Sequence, residues 1–218
     1  IVGAMTTQHE LQQSQMLSEA APILKETSLL IADPQVRYMG TIGGNVANGD
    51  PGNDMPAVML CLDAAYRLTS VTGTRTIKAR DFYEGTYATA LKTGEILTAI
   101  EIPVPPAGHG HAYEKLKRKI GDYATAAAGV VLTTRGGRIT TCAIAISNLA
   151  DKAILATDAA AAVIGTALEK PALDKAIAAA RSIMSPATDT RGTTEYRTSV
   201  GGIMVERALK CALARAKG

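Results

Sequence analysis

Fourteen consecutive residues, Thr41 to Asp54, read TIGGNVANGDPGND and contain four glycines, three asparagines and two aspartates. No regular helix or strand favours that composition, so the stretch is expected to be an irregular turn. Glycine takes positive φ freely, and Asn and Asp tolerate the left-handed region. Gly43 and Gly44 leave the backbone without Cβ atoms, so a ligand can approach the N–H groups. Consecutive amides in such turns form an anion-binding concavity. Just downstream, MPAVMLCLDA has helical character with Pro56 in its first turn. A glycine-rich loop that runs into a helix suits a diphosphate. The residues leave a second reading open, an ordinary glycine-rich turn that holds no ligand. Neither GxGxxG after a strand nor GxxxxGK[ST] is present, so neither standard nucleotide fingerprint applies.

The remaining composition mostly excludes. A length of 218 residues allows one large or two small domains. Aromatics are scarce at 4%, with no Trp and Phe82 as the one Phe, so the core must be aliphatic. A net charge of +3 is too small to argue for nucleic acid. No apolar run approaches bilayer-spanning length, and the opening residues show no secretory pattern. Cys61, Cys142 and Cys211 lack CxxC spacing, which argues against zinc or an iron–sulfur cluster and for free thiols in a reducing cytoplasm. His109 and His111 form an HxH pair in the linker PPAGHGHAY. A pair of this kind can bind metal, but without an accompanying carboxylate cluster the reading is a solvated linker.

In chain order, the expectation is a short strand over residues 1–7, then a helix over 7–16 opened by a capping box of Thr7 and Glu10. A second helix is expected to Leu30, with Asp33-Pro34 as breaker. After the helix near Pro56, residues 64–70 and 75–79 form a hairpin around Thr72-Gly73, and 81–87 a loop or short helix. Residues 95–103 form a strand with Ile96, Thr98, Ile100 and Ile102 on one face and Glu95, Leu97, Ala99 and Glu101 on the other. The Pro/Gly-rich connector that follows marks a boundary, giving domains 1–107 and 108–218. The second should hold three antiparallel strands (112–119, 127–134, 138–147) and then helices over 153–164, 171–184 and 201–217. A sheet followed by helices is an α+β arrangement. No nucleophile–base pair or acid–base dyad is apparent, so no catalytic residue and no metal ligand is assigned. That absence fits a cofactor that does the chemistry.

TIGGN, followed by Asp50, Pro51 and Asp54 in a DPxxD setting, resembles the second flavin loop of the FAD-binding medium subunits of molybdenum hydroxylases, the xanthine dehydrogenase and carbon monoxide dehydrogenase group. The likeness extends through ADPQVRYMGTIGGN, EILTAIEIPVPP and YEKLKRKIGDYATAA, covers essentially the whole chain, and is nearest the carbon monoxide dehydrogenase branch. It implies a vanillyl-alcohol-oxidase-like (PCMH-type) FAD-binding domain followed by a small domain of a three-stranded antiparallel sheet and a helical bundle. The opening IVGAMTT reads as the end of a strand already under way. Family members carry an earlier segment with another glycine-rich flavin loop, of the AGGxS kind, which this sequence does not show.

The resemblance implies FAD as the cofactor here. A large subunit would carry a molybdopterin cofactor and a small subunit [2Fe–2S] clusters, as a dimer of heterotrimers in the cytoplasm or at the inner face of its membrane. In the nearest branch the reaction is CO + H₂O to CO₂, two protons and two electrons, with a quinone as acceptor. Two alternatives stay open: a hydroxylase for an aldehyde, xanthine or another N-heterocycle, and a nucleotide- or anion-binding module without redox activity. By the same resemblance, the amides of Thr41, Ile42, Gly43, Gly44 and Asn45 would hold the diphosphate, and Ile31 and Ala32 would line the adenine or flavin pocket. Leu97 would present its backbone near the adenine, with a core role equally open. Asp54 would accept from ribityl or ribose hydroxyls, against a helix N-cap as its plain alternative. Lys115 would face the flavin as a cation, or be a solvated strand residue. Tyr123 would stack on the isoalloxazine with Asp122 as its orienter, or be an ordinary sheet-edge aromatic.

Overall fold

A computed structural model of the chain describes residues 1–217. The chain opens with strand β1 (Val2–Gly3), and Thr7 then starts a run of short helices. Thr7 Oγ1 accepts from the Glu10 amide at 3.1 Å, and Glu10 Oε2 accepts from the Thr7 amide at 2.7 Å, so the expected capping box forms. The single helix expected over 7–16 is instead two, α1 (Gln8–Gln13) and α2 (Gln15–Ala20). Ser14 ends the first and caps the second through its own hydroxyl, an alternative that serine readily offers the backbone. Helix α3 (Ile23–Leu30) begins after Pro22, and Asp33 caps α4 (Pro34–Met39) through Val36 N at 3.0 Å.

The glycine-rich stretch departs from its expectation. Residues Ile42–Ala47 form a short helix, α5, capped by the Thr41 hydroxyl on Gly44 N at 3.0 Å. Glycine is a poor helix former, yet tertiary packing overrides propensity here. A Cβ on Gly43 would lie 2.5 Å from the Ala4 carbonyl oxygen, so the bare Cα lets the chain itself approach. Asn48 to Asp54 remain irregular and lead into α6 (Met55–Cys61), every residue of which is buried.

Strands β2 (Ala65–Ser70) and β3 (Gly73–Lys78) form the expected hairpin, followed by a 3₁₀ turn at Ala79–Asp81. The stretch expected as loop or helix over 81–87 contributes β4 (Tyr83–Gly85), paired with β5 (Ala88–Thr89). Strand β6 (Ile96–Glu101) completes a sheet of order β1-β6-β2-β3, antiparallel throughout. Its simple alternation fails. Pairing of β6 with β2 shifts register at Arg67/Leu68, so Ile100 is fully buried while Ile96 is 65% exposed.

The second sheet comprises β7 (Gly110–Leu116), β8 (Ala126–Arg135), β9 (Arg138–Ser147) and β10 (Ile154–Leu155), in the order β10-β9-β8-β7. It has four strands, not the three expected. Strand β10 is only two residues long, too short to show a period. Helices α7 (Thr157–Val163), α8 (Lys170–Ser182) and α9 (Thr194–Arg215) follow. Helix α9 starts well before residue 201, because Thr193 caps Tyr196 N at 3.2 Å. Gly201 lies inside it because a Cβ there would come within 2.6 Å of Leu149.

Two apolar clusters form the core. One joins the N-terminal helices, α6 and the first sheet to Tyr113, Ala127 and Ala145 of the second sheet. The other lies between the second sheet and helices α7 to α9. Helix α6 thus sits at the seam between the halves, and its first turn points the end of the Asn/Asp/Gly stretch at strand β7.

Candidate functional site

Two adjoining cavities run along that seam. The first, of about 210 Å³, is lined by Ile31, Ala32, Gly52, Asp54, Lys115 and Tyr123, among others. The second, of about 260 Å³, is lined by Gln8, Gly40, Thr41, Gly44 and Asn48. Ile31, Val36, Asn45 and Asn53 border both, so the two read as one elongated groove.

Its wall at Ile31 and Ala32 is the chain reversal after α3. Ala32 holds a φ of +46°, a conformation that costs a non-glycine residue about 1–2 kcal/mol. Arg37 Nη1 pins the reversal by donating to the Ile31 carbonyl at 2.9 Å and the Ala32 carbonyl at 3.1 Å.

At the glycine stretch, four of the five amides expected to be available to an anion are already committed. Ile42 N donates to Thr6 O at 2.8 Å, Gly43 N to Ala4 O at 2.9 Å, Gly44 N to Thr41 Oγ1 at 3.0 Å and Asn45 N to Thr41 O at 3.1 Å. The free-amide cradle read from the sequence is therefore corrected. The stretch is a capped helical turn docked on the turn that follows β1, and Gly44 and Thr41 offer the groove their surface. Ile42 is fully buried in the core, and Gly43 faces Ala4; neither lines the groove. Asn45 ties the stretch to α6, since its Oδ1 accepts from Met55 N at 3.1 Å and its carbonyl from Asn53 Nδ2 at 2.7 Å.

Asp54 precedes α6 but makes no capping bond. Its Oδ2 instead accepts from Lys115 Nζ at 2.7 Å and its Oδ1 from the Tyr113 hydroxyl at 2.7 Å. The side chains of Lys115 and Asp54 are 2% and 5% exposed, so Lys115 is neither a free cation nor a solvated strand residue. Tyr113 and Lys115 are two apart on β7 and therefore share a face. Burial pushes the Asp54 carboxyl up, and the Lys115 ammonium and Tyr113 hydroxyl pull it back. Burial, then the neighbouring Asp54 charge, pushes the Tyr113 hydroxyl well above its ordinary range. The three groups form a closed buried cluster on the groove floor.

Tyr123 stands at the mouth, 45% exposed, in the connection between β7 and β8. A Cβ on Gly52 would lie 2.7 Å from its Cδ1, so the ring rests against bare backbone. The Arg191 guanidinium sits 5.7 Å from the ring centroid. Asp122 does not orient the ring as expected; it pairs with Arg118 at 2.9 Å and Arg191 at 3.4 Å. Leu97 lies on β6 opposite Leu68 and lines neither cavity.

Sequence reasoning missed Gln8 and Tyr113. The i, i+2 spacing of Tyr113 with Lys115 was the available signal for the second. For Gln8 there was none beyond its place at the head of a capped helix. Among the described residues no group of three or more His, Cys, Asp or Glu could hold a metal ion, and no helix is long and apolar enough to cross a membrane. An elongated groove with an aromatic at one end, a satisfied ion pair on its floor and neutral polar groups at the other end is built to hold a ligand. It contains no poised acid or base.

Residues 1–105 match the family described as the FAD binding domain in molybdopterin dehydrogenase, and residues 111–212 match the CO dehydrogenase flavoprotein C-terminal domain. The chain is 62% identical to the carbon monoxide dehydrogenase medium chain of Afipia carboxidovorans, over all of this chain and 75% of that one. It is 34% identical to the glyceraldehyde dehydrogenase medium chain of Sulfolobus acidocaldarius, over 96% of this chain and 74% of the relative. Its structure resembles reconstituted CO dehydrogenase from Oligotropha carboxidovorans with a TM-score of 0.97 at 62% identity, covering 98% of this chain and 74% of the other.

Proposed function

From the premise that this chain belongs to the family of FAD-binding medium chains of molybdopterin dehydrogenases, we propose that it is the flavoprotein subunit of a carbon monoxide dehydrogenase. It holds FAD and forms part of an oxidoreductase that converts CO and water to CO₂, two protons and two electrons. Partner subunits supply the molybdopterin cofactor and the [2Fe–2S] clusters, with a large molybdenum subunit and a small iron–sulfur subunit arranged as a dimer of heterotrimers. A quinone takes the electrons, at the inner face of the cytoplasmic membrane. The chain divides at residues 107/108, a division supported by the Pro/Gly-rich connector between β6 and β7.

The residues fit FAD. Gly44 presents backbone without a Cβ atom to the groove, and Tyr123, seated over the bare Cα of Gly52, offers an aromatic face at its mouth. Bound FAD would supply interconversion between two-electron and one-electron transfer. The protein's share is binding and electrostatics. Tyr123 covers the ring end, and Ile31 and Ala32 close the apolar wall. Thr41, Gly44 and Asn45 line the opposite end, and Asp54 retains lone pairs for ligand hydroxyls beyond those given to Lys115 and Tyr113. Lys115 acts as half of an ion pair, so its influence on bound FAD would be that of a dipole. Leu97, Ile42 and Gly43 act from behind the groove, through the sheet and helix that shape it.

The observation that carries this reading is the gathering of Ile31, Thr41, Gly44, Asp54, Lys115 and Tyr123 onto one groove. The test is the visible spectrum and redox titration of the purified complex. One FAD per copy of this chain, released on denaturation and titrating reversibly, is expected. A complex with molybdenum and iron but no flavin couple would sink the proposal.

A further inference from the structure

With the amides of Ile42 to Asn45 committed to the chain, the second cavity must find its donors elsewhere. Asn53 Nδ2 is spent on the Asn45 carbonyl. No charged side chain lines this cavity among the described residues. One buried donor on it remains unpaired. Gln8, 2% exposed, lines the same cavity as Thr41 and Gly44. Its Oε1 accepts from the fully buried Ser28 hydroxyl at 3.0 Å, while its Nε2 has no partner. Gln12 Nε2 and Thr27 Oγ1 also lack partners, but neither residue lines a cavity of the groove.

A carboxamide whose oxygen is occupied presents only N–H donors. Native structures rarely leave such a donor buried and unpaired, and each case calls for an explanation such as a bound group or ion. Resting on the FAD reading, we infer that Gln8 is a cofactor-binding residue. Its Nε2–H donates to an oxygen of the diphosphate–ribose portion of FAD. Ser28 is its positioning residue, holding the amide oxygen back so that the nitrogen faces the ligand. The choice of that portion follows from the layout, since Tyr123 occupies the other cavity.

The test uses the purified complex, stripped of flavin and titrated with FAD while flavin fluorescence is read, with thermal unfolding of the apo and loaded forms alongside. Gln8→Met removes the donor at similar length. Gln8→Glu keeps an acceptor for Ser28 but puts carboxylate oxygen where the donor was. The dissociation constant should rise about tenfold for Gln8→Met, the worth of one hydrogen bond. It should rise further for Gln8→Glu and a few-fold for Ser28→Ala. The Tm of apo Gln8→Met should roughly equal that of the native apo complex, because an orphan donor goes while the Ser28 hydroxyl loses its acceptor. A purely structural amide would do the reverse, lowering the apo Tm and leaving FAD affinity intact, and that result overturns the inference. If Gln8→Met does not assemble, Gln8→Glu and Ser28→Ala decide alone: unchanged affinity in both overturns it. A native complex that takes up no FAD overturns the FAD reading itself, a different failure from native binding that the variants leave untouched.

Discussion

Two buried polar clusters border the groove, and they are built differently. On the floor, Asp54, Lys115 and Tyr113 satisfy one another through bonds of 2.7 Å. Behind the far wall, Gln8 and Ser28 make one bond, and Gln8 Nε2 is left over with Gln12 Nε2 and Thr27 Oγ1. The floor cluster crosses the seam, joining the start of α6 to β7, so its mutual pairing is architecture. The wall cluster lies within the N-terminal helices, between α1 and α3, and its shortfall is an opening for something else. A polar group that has everything it needs holds a fold together, whereas a buried donor that lines a cavity without a partner calls for one.

The contrast breaks most visibly at the ion pair. Asp54→Ala would strand the Lys115 ammonium in a site where its side chain is 2% exposed. Loss of one member of a buried pair costs about 3–5 kcal/mol. Denaturant unfolding of the complex should show a drop of that size, and Lys115→Met a comparable one. The pair Asp54→Leu and Lys115→Met should recover most of the loss, because an apolar replacement removes both charges together. A double variant no more stable than either single would mean that the cluster is not the closed unit described.

Tyr113→Phe is the next step down. It deletes a hydroxyl that is 2.7 Å from Asp54 Oδ1 and leaves that oxygen short of a donor, worth about 1–3 kcal/mol. The matching change at the wall, Gln8→Met, should cost the apo complex nothing. Equal apo-state losses at Tyr113 and Gln8 would erase the distinction between the clusters.

The two clusters were also unequally legible. Composition singled out the stretch that contains Asp54, and the resemblance picked out Lys115, but their bond spans 61 residues of sequence and no local pattern reports it. The capping box at Thr7 was readable because cap and partner are three residues apart. The strand expected over 138–147 forms with those bounds, since the glycine turn that opens it at Gly136-Gly137 is local. Gly43 was misread for the opposite reason. Its lack of a side chain serves the tertiary approach of Ala4, 39 residues earlier in the chain, and in sequence that is indistinguishable from room for a ligand. The early start of α9 was missed because Gly201-Gly202 looks like a beginning, while Thr193 supplies the real cap. Groove lining was thus largely readable as a list of residues, and the use of each side chain was not.

A third pair sets the lower end of the scale. Arg75 Nε meets Glu95 Oε1 at 2.7 Å, with a second bond from Nη2 to Oε2 at 2.8 Å. This pair lies on the rim of the first sheet, away from the groove. The Arg75 guanidinium, helped by the Lys92 amide, holds the Glu95 carboxyl down at about 2, from an ordinary value of 4.5. A depressed carboxylate stabilises the fold above its unfolded value and loses that contribution as the pH falls from 4.5 towards 2. The native complex should therefore lose stability across that window and Glu95→Gln should lose less, so the gap between the two is widest at pH 7 and closes towards pH 2. The effect should shrink in high salt, as screening weakens exposed pairs far more than buried ones. Asp54 and Lys115, nearly buried, should show far less salt dependence. A comparable salt response at both pairs would place water in the floor cluster and remove the physical basis for treating it as dry architecture.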